Sequence, residues 1–159
     1  MPQAHAAMSA VVPAAPEEVY TVLADYRTEH PRILPRQYFT SLAVQQGGRG
    51  AGTVIRVTTR ALGVERSYLM DVSEPEPGRR LVETDRGSGL ATSFTVTPTG
   101  DGHSLVEIAT TWETRPGIAG ALERLTTAPI MRRIYAAELR QLAQYMRERA
   151  HYVAVRGEV

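Results

Sequence analysis

The order of helix-like and strand-like segments constrains the fold of this chain more than any other feature. A short amphipathic helix pattern covers residues 16–25, and a much longer one runs from about residue 118 to residue 150. Residues 38–112 between them read as short strands separated by turns. This order predicts an α+β fold in which the long final helix buries its apolar stripe against an antiparallel sheet. A curved sheet that grips a helix commonly leaves a cavity, so the order also indicates small-molecule binding.

The composition is that of an ordinary globular protein, and we expect residues 1–159 to form a single domain. The chain has no Cys and no Lys, which excludes disulfides, thiol nucleophiles, Schiff-base chemistry and a Lys-centred phosphate loop. A net charge of +1 favours neither nucleic acid nor an anionic membrane as a partner. The first twelve residues do not resemble a signal peptide, and no apolar run approaches the roughly 20 residues that span a bilayer. We therefore expect a cytoplasmic protein without an integral membrane segment.

Polar and apolar side chains alternate along the central region, as they do in strands that have one buried face. Turns rich in Gly and Pro, such as residues 74–78, join the strands, which predicts an antiparallel meander whose last strand covers residues 104–113. A glycine cluster at residues 47–52 is expected to form a flexible hairpin turn. The inward faces of the strands and of the final helix supply the candidate cavity residues. These are Tyr38, Ile55, Val57, Arg66, Tyr68, Met70, Thr92, Phe94, Ile108, Thr110, Trp112, Met131 and Tyr135.

The long final helix carries apolar residues at helical spacing along most of its length, beginning with Ile118, Leu122 and Leu125. Pro129 lies inside this pattern and is expected to break or kink the helix. The last residues, 153–159, are expected to fray.

Two segments resemble a known family. Residues 12–26 closely resemble the opening of the START-like (SRPBCC) superfamily, which includes the polyketide cyclase/dehydrase-like proteins: a strand, an Ala-Pro pair, an acidic helix start, an aromatic after Val, and Leu-x-Asp. Residues 129–142 are similar to the closing helix of that family. The resemblance implies a helix-grip fold of order β-α-α-β6-α. In that fold a seven-stranded antiparallel sheet wraps around a long C-terminal helix and encloses a deep apolar cavity.

One local departure from the family pattern concerns the entrance to the cavity. The family often has an aromatic residue, commonly Trp, after the Pro that follows the first helix. Here Pro31 is followed by Arg32 and Ile33. We therefore expect the mouth of the cavity to differ from that of relatives.

Two charged residues are weak candidates for catalysis. Arg66 falls on the same strand face as Tyr68 and Met70, where a charged group needs either a ligand or an outlet to water at the strand end. Its planar guanidinium suits a carboxylate, phenolate or enolate. Glu83 lies in a strand whose inward face the pattern does not decide, and it is a candidate base if it points inward.

The remaining polar candidates have both structural and functional interpretations. Tyr38, Tyr68 and Tyr135 can each offer a hydroxyl to a ligand or pack as ordinary core residues. Trp112 is expected to pack against the final helix or to line the cavity, and the threonines on the inward faces suit either a ligand oxygen or a plain strand. The four His residues are scattered without ligand spacing, so no metal and no cofactor is expected.

The leading hypothesis is a protein that binds one hydrophobic small molecule, such as a lipid, isoprenoid or polyketide, in the cavity. A cofactor-independent polyketide aromatase/cyclase is the first alternative, because positioned Arg and Tyr side chains can assist enolate chemistry. A module that grips the apolar segment of a protein partner is the second. The sequence leaves open whether the chain is an enzyme and whether it is a monomer or a homodimer.

Overall fold

A computed structural model describes residues 2–157 and shows the expected α+β architecture. One strand and two short helices precede six further strands and a long final helix. The strands are β1 (Gln3–Val12), β2 (Phe39–Gln46), β3 (Val54–Ala61), β4 (Val64–Glu76), β5 (Arg80–Asp85), β6 (Ala91–Pro98) and β7 (Ser104–Glu113). The helices are α1 (Pro16–Ala24), α2 (His30–Ile33) and α3 (Gly117–Gly157).

All seven strands form one antiparallel sheet in the order β1-β7-β6-β5-β4-β3-β2. Strands β2 to β7 are therefore a meander, while β1 pairs with the last strand along its whole length, from Gln3 opposite Glu113 to Val12 opposite Ser104. Helix α3 packs along β1 and closes one side of the curved sheet. The predicted helix-grip arrangement is confirmed.

The start of α1 follows from its sequence. Pro16 has a backbone pre-set for the first helical turn, and Glu17 and Glu18 face the positive end of the helix dipole. The helix buries Val19 and Leu23 completely against the sheet. It thereby fixes the chain segment that leads into α2.

Strand β4 is longer than the pattern predicts, because residues 74–78 are expected to form a turn and Pro75 instead lies within the strand. The pairing of β4 with β5 shifts register between Ser73 and Glu76. A bulge of this kind leaves a residue out of the hydrogen-bond ladder, so a proline without an N–H can be tolerated there.

The glycine-rich segment after β2 is packed against α1 rather than being the free hairpin that its composition suggests. The N–H of Tyr26 donates to the carbonyl of Gly48, and the N–H of Gly50 donates to the carbonyl of Ala24. Gly50 has a φ of 56°, and a Cβ there would collide with the carboxylate of Glu74. The left-handed backbone conformation favours glycine at this position, whereas the Glu74 side chain could move away from a Cβ.

The two halves of α3 differ in burial, which corrects the prediction for its first turns. Ile118, Leu122 and Leu125 are 89%, 61% and 74% exposed. The buried stripe comes from the second half of the helix, where Leu139 and Met146 are almost fully enclosed. Helical periodicity alone identified an apolar face, but the sheet is long enough to cover only part of it.

Pro129 does not break α3, which is helical on both sides of it. Its missing N–H leaves the carbonyl of Leu125 without the usual partner, and water can reach that residue because it is largely exposed. The helix also continues to Gly157, beyond the point where fraying was expected, while residues 158–159 lie outside the described part of the chain. Within residues 2–157 no helix combines the length and the apolar character needed to cross a membrane.

The difference between the two halves of α3 predicts unequal effects of one substitution. Leu139→Ala removes a side chain that is 2% exposed and should lower the free energy of unfolding by about 2–5 kcal/mol. Leu125→Ala changes an exposed position and should cost less than about 0.5 kcal/mol. Urea unfolding of both variants measures the difference, and equal losses would contradict the assigned burial.

Candidate ligand cavity

A cavity of about 340 Å³ lies between the concave face of the sheet and α3. Strands β3 to β7 supply one wall, α3 supplies the other, and α2 with the start of β2 closes an end. The wall is mainly apolar, as expected for a site that takes hydrophobic molecules. Ten of the predicted residues line it: Ile55, Val57, Arg66, Tyr68, Met70, Thr92, Phe94, Trp112, Met131 and Tyr135.

Three predicted residues lie outside the cavity wall. Tyr38 precedes β2 and is only partly buried, and the next residue, Phe39, takes the lining position instead. Ile108 and Thr110 point inward from β7 but are fully enclosed in the core. The strand pattern gave the inward face of β7 correctly, but of that face only Trp112 lines the cavity.

The mouth of the cavity lies between the β3–β4 turn and the first half of α3. Leu62 of the turn and Val64 at the start of β4 are 83% and 54% exposed, and Glu123 and Thr127 of α3 line the same cavity. Arg66 also lines this end, with an exposed side chain. It reaches water at the strand end, as one of the two interpretations of its position requires.

Glu83 defines the opposite, buried end of the cavity. It points inward from β5, opposite Thr92 of β6. The hydroxyl of Tyr26, a fully buried residue just after α1, donates a hydrogen bond of 2.7 Å to Glu83 Oε1. His30 of α2 stacks on Tyr26 with ring centroids 4.6 Å apart. The two short helices thus bring an aromatic pair to this carboxyl.

Burial controls the protonation of this group of side chains. Loss of water raises the pKa of the Glu83 carboxyl to about 7, and the hydrogen bond from Tyr26 opposes the shift. Burial also lowers the pKa of the His30 imidazole to about 4, so the ring is neutral at pH 7. His30 Nδ1 donates to the carbonyl of Leu23 at 2.7 Å, which leaves Nε2 as an acceptor, 3.9 Å from Glu83 Oε1.

A second buried carboxyl, that of Glu138, faces the same end of the cavity from α3. Glu138 is 2% exposed, and its Oε1 has no hydrogen-bond partner among the described residues. Burial, and then the nearby Glu83 carboxyl, raise the pKa of Glu138 well above its ordinary value. A buried carboxyl oxygen without a protein partner is costly, so a ligand or water in the cavity must satisfy it.

Hydroxyl groups and one indole complete the polar part of the wall. Thr92 and Thr110 share a hydrogen bond of 2.7 Å, and the Thr110 hydroxyl is hydrogen-bonded in turn to the Tyr135 hydroxyl. Burial raises the pKa of Tyr135 above its ordinary value, so this hydroxyl keeps its proton. Trp112 is buried, with 8% of its surface exposed, and its Nε1–H has no hydrogen-bond partner among residues 2–157.

Three functional candidates were not identified from the sequence. Glu138 shares the buried stripe of α3 with Tyr135, Leu139 and Leu142, so helical spacing could have placed it inside. Tyr26 and His30 gave no such signal, because each acts through a contact with a residue more than 50 positions away.

The contact between Tyr26 and Glu83 yields a direct prediction. Tyr26→Phe removes a donor that favours the ionised carboxyl, so the pKa of Glu83 should rise above its present value of about 7. A lost hydrogen bond to a charged group corresponds to a shift of roughly one to two units. Carbon-13 NMR titration of the Glu83 side-chain carboxyl measures the shift. Tyr152→Phe, an exposed change near the end of α3, is the control, and an unchanged Glu83 titration in Tyr26→Phe would contradict the assignment.

The sequence comparison agrees with this geometry. Residues 3–147 match the family described as polyketide cyclase / dehydrase and lipid transport. The chain belongs to this family. The match covers the sheet, both short helices and α3 as far as its last buried residue, Met146. A comparison with curated proteins finds no match.

Several solved structures have the same fold as this protein. The solution structure of KanY protein is 30% identical, with a TM-score of 0.79 over 91% of this chain and 98% of that one. The Zhui aromatase/cyclase from Streptomyces sp. R1128 is 16% identical, with a TM-score of 0.74 over 94% and 96%. A START superfamily protein from Mycobacterium smegmatis is 15% identical, with a TM-score of 0.64 over 94% and 98%. The START-like (SRPBCC) resemblance is confirmed.

Proposed function

We propose that this protein binds one hydrophobic, partly oxygenated small molecule in the cavity between the sheet and α3. A lipid, an isoprenoid and a polyketide all have this character. The single observation that carries the proposal is an apolar cavity with an unpaired, buried carboxyl oxygen on Glu138 in its wall. Membership of a family that includes lipid transport supports the same conclusion.

The physical basis of binding is burial of apolar ligand surface. Residues such as Val57, Phe94 and Met131 offer side chains without polar atoms that need hydrogen bonds. Each Å² of apolar ligand surface removed from water stabilises the complex by about 25 cal/mol before the costs of association. A ligand whose polar atoms form hydrogen bonds with Trp112 Nε1 and Glu138 Oε1, which have no partner among the described residues, should bind more tightly.

Titration with the fluorescent fatty acid 11-(dansylamino)undecanoic acid tests this function. We expect saturable binding with one probe per protein, and displacement of the probe by unlabelled apolar compounds. A protein that does not bind the probe, or binds several copies that no competitor displaces, would contradict the proposal.

A second candidate function is cofactor-independent aromatase/cyclase activity. The observation that favours it is that Arg66, Tyr68 and Glu83 line one cavity. Such an enzyme would fold a poly-β-ketone so that an enolate carbon meets a carbonyl, with Arg66 and Tyr68 near the mouth of the cavity assisting proton transfer.

Replacement of Arg66 distinguishes the two functions. Arg66→Leu should leave the binding of neutral lipids unchanged within about twofold, because the guanidinium is exposed at the mouth. If the protein is a cyclase, the same variant should lose nearly all turnover of a poly-β-ketone, measured by product formation. Arg56→Leu, an exposed change on β3, is the matched control. Turnover equal to wild type in Arg66→Leu would exclude Arg66 from catalysis.

A further inference from the structure

We propose that the buried end of the cavity is a binding site for the cationic nitrogen of an apolar amine. This inference rests on the proposed binding function and specifies the chemistry of the ligand. It is carried by the arrangement of two carboxyl groups, on Glu83 and Glu138, in a space that offers them no positive charge.

The two carboxyls come from opposite walls and face the same space. Glu83 projects from β5 and Glu138 from α3, and both line the cavity. Glu83 is close enough to Glu138 for its carboxylate to disfavour ionisation of the Glu138 carboxyl, whose pKa is raised. Two buried acids this close retain protons unless a cation joins them.

Every other group that faces this end is neutral. Tyr26 and Tyr135 have pKa values raised by burial and stay protonated. His30 is neutral, since its pKa is lowered to about 4, and it donates its Nδ1 proton to a backbone carbonyl. Thr92 contributes only a hydroxyl. No cationic group therefore neutralises the carboxyls from within the described residues that line this end.

Arg66 is too distant to serve as their counterion. Glu83 lies opposite Val72 of β4, and Arg66 is six positions before Val72 on that strand. At a rise of about 3.3 Å per residue, the two backbone positions are about 20 Å apart. The Arg66 side chain is also exposed at the mouth, where water and salt screen its charge.

A ligand ammonium group supplies what the site lacks. It presents several N–H donors, one of which can reach the unpaired Oε1 of Glu138. The positive charge favours ionisation of both carboxyls, so binding should release protons to solvent at pH 7. The apolar remainder of the amine then extends between the sheet and α3 toward the mouth.

Three compounds with the same alkyl chain test the inference: decylamine, decanol and decanoic acid. Isothermal titration calorimetry at pH 7 should show decylamine binding at least tenfold more tightly than decanol, and decanoic acid more weakly than decylamine. Repeating the titration in buffers of different ionisation enthalpy should show release of about one proton with decylamine and none with decanol.

Gln substitutions test whether the two carboxyl groups cause the preference for decylamine over decanol. Glu138→Gln should reduce the ratio of decylamine to decanol affinity by at least fivefold, and Glu83→Gln should reduce it as well. Both substitutions preserve side-chain shape, and thermal unfolding verifies that the variants fold. Glu107→Gln removes an exposed carboxylate from the outer face of β7 and should leave the ratio unchanged.

The outcomes separate this inference from the proposed function. Decanol or decanoic acid binding as tightly as decylamine would overturn the amine site while leaving the apolar cavity in place. A decylamine preference that survives in both Gln variants would also overturn it. If none of the three compounds binds, the proposed function itself fails.

Discussion

Val57→Trp should weaken binding of the fluorescent fatty acid by at least about 100-fold, which corresponds to about 2.7 kcal/mol. Val57 lies on the inward face of β3, opposite Tyr68, and both side chains line the cavity. An indole at this position would occupy part of a space of about 340 Å³ and leave too little room for an alkyl chain. Titration of wild type and variant with the same probe measures the loss.

A substitution on the neighbouring residue controls for this experiment. Thr58 follows Val57 on β3 and points to the opposite face of the sheet. Thr58→Trp adds the same indole outside the cavity, so probe affinity should remain within about threefold of wild type. Val57→Trp that still folds and binds the probe as tightly as wild type would show that the probe does not enter this cavity.

Glu83→Gln should change the pH dependence of stability by about 3 kcal/mol between pH 4.5 and pH 7. The folded protein raises the pKa of Glu83 from 4.5 to about 7, so it binds this proton more tightly than the unfolded chain does. The stability that Glu83 contributes is fully present below pH 4.5 and is lost as the pH rises through 7. Glu83→Gln lacks this loss, and urea unfolding across that range measures the difference from wild type.

His30 contributes in the opposite direction and does not obscure the result. Its pKa falls from 6.5 to about 4 on folding, so its contribution is present above pH 6.5 and is lost as the pH falls through 4. Because His30 is present in both proteins, its contribution largely cancels in the difference between them. Glu107→Gln, which removes an exposed carboxylate, should give a curve parallel to wild type. A constant difference between Glu83→Gln and wild type across this range would contradict a buried, protonated Glu83.

The architecture could be predicted from the sequence because periodicity and turn chemistry agree along most of the chain. The alternation of residues in β7 gave its bounds, Ser104–Glu113, without error. Pro16 followed by two acids marked the start of α1. Where prediction failed, a longer-range contact decided the outcome, as in β4, where pairing with β5 holds Pro75 inside the strand.

The apolar wall of the candidate site was easier to predict than its polar end. Strand alternation identifies inward residues such as Ile55 and Phe94, because it requires only the local period. The same period could not decide which way Glu83 points, since its strand mixes polar and apolar residues on both faces. The contact of Glu83 with Tyr26 joins positions 57 residues apart, and no local pattern encodes it.

The burial of α3 shows a related limit. Ile118 and Leu139 both belong to apolar stripes at helical spacing, yet one is 89% exposed and the other 2%. The spacing of apolar residues shows which face of a helix is apolar, but it does not show how much of the helix length the sheet covers. The exposed first half leaves an opening beside Leu62 and Val64, so this error of prediction concerned the mouth of the cavity itself.

Native mass spectrometry of the protein purified from its own host, followed by solvent extraction, tests whether the cavity holds a hydrophobic ligand. We expect one co-purifying hydrophobic compound in a one-to-one complex, absent or strongly reduced in Val57→Trp and retained in Thr58→Trp. A ligand-free protein that also fails to bind the fluorescent fatty acid would contradict the claim that this cavity is a ligand site.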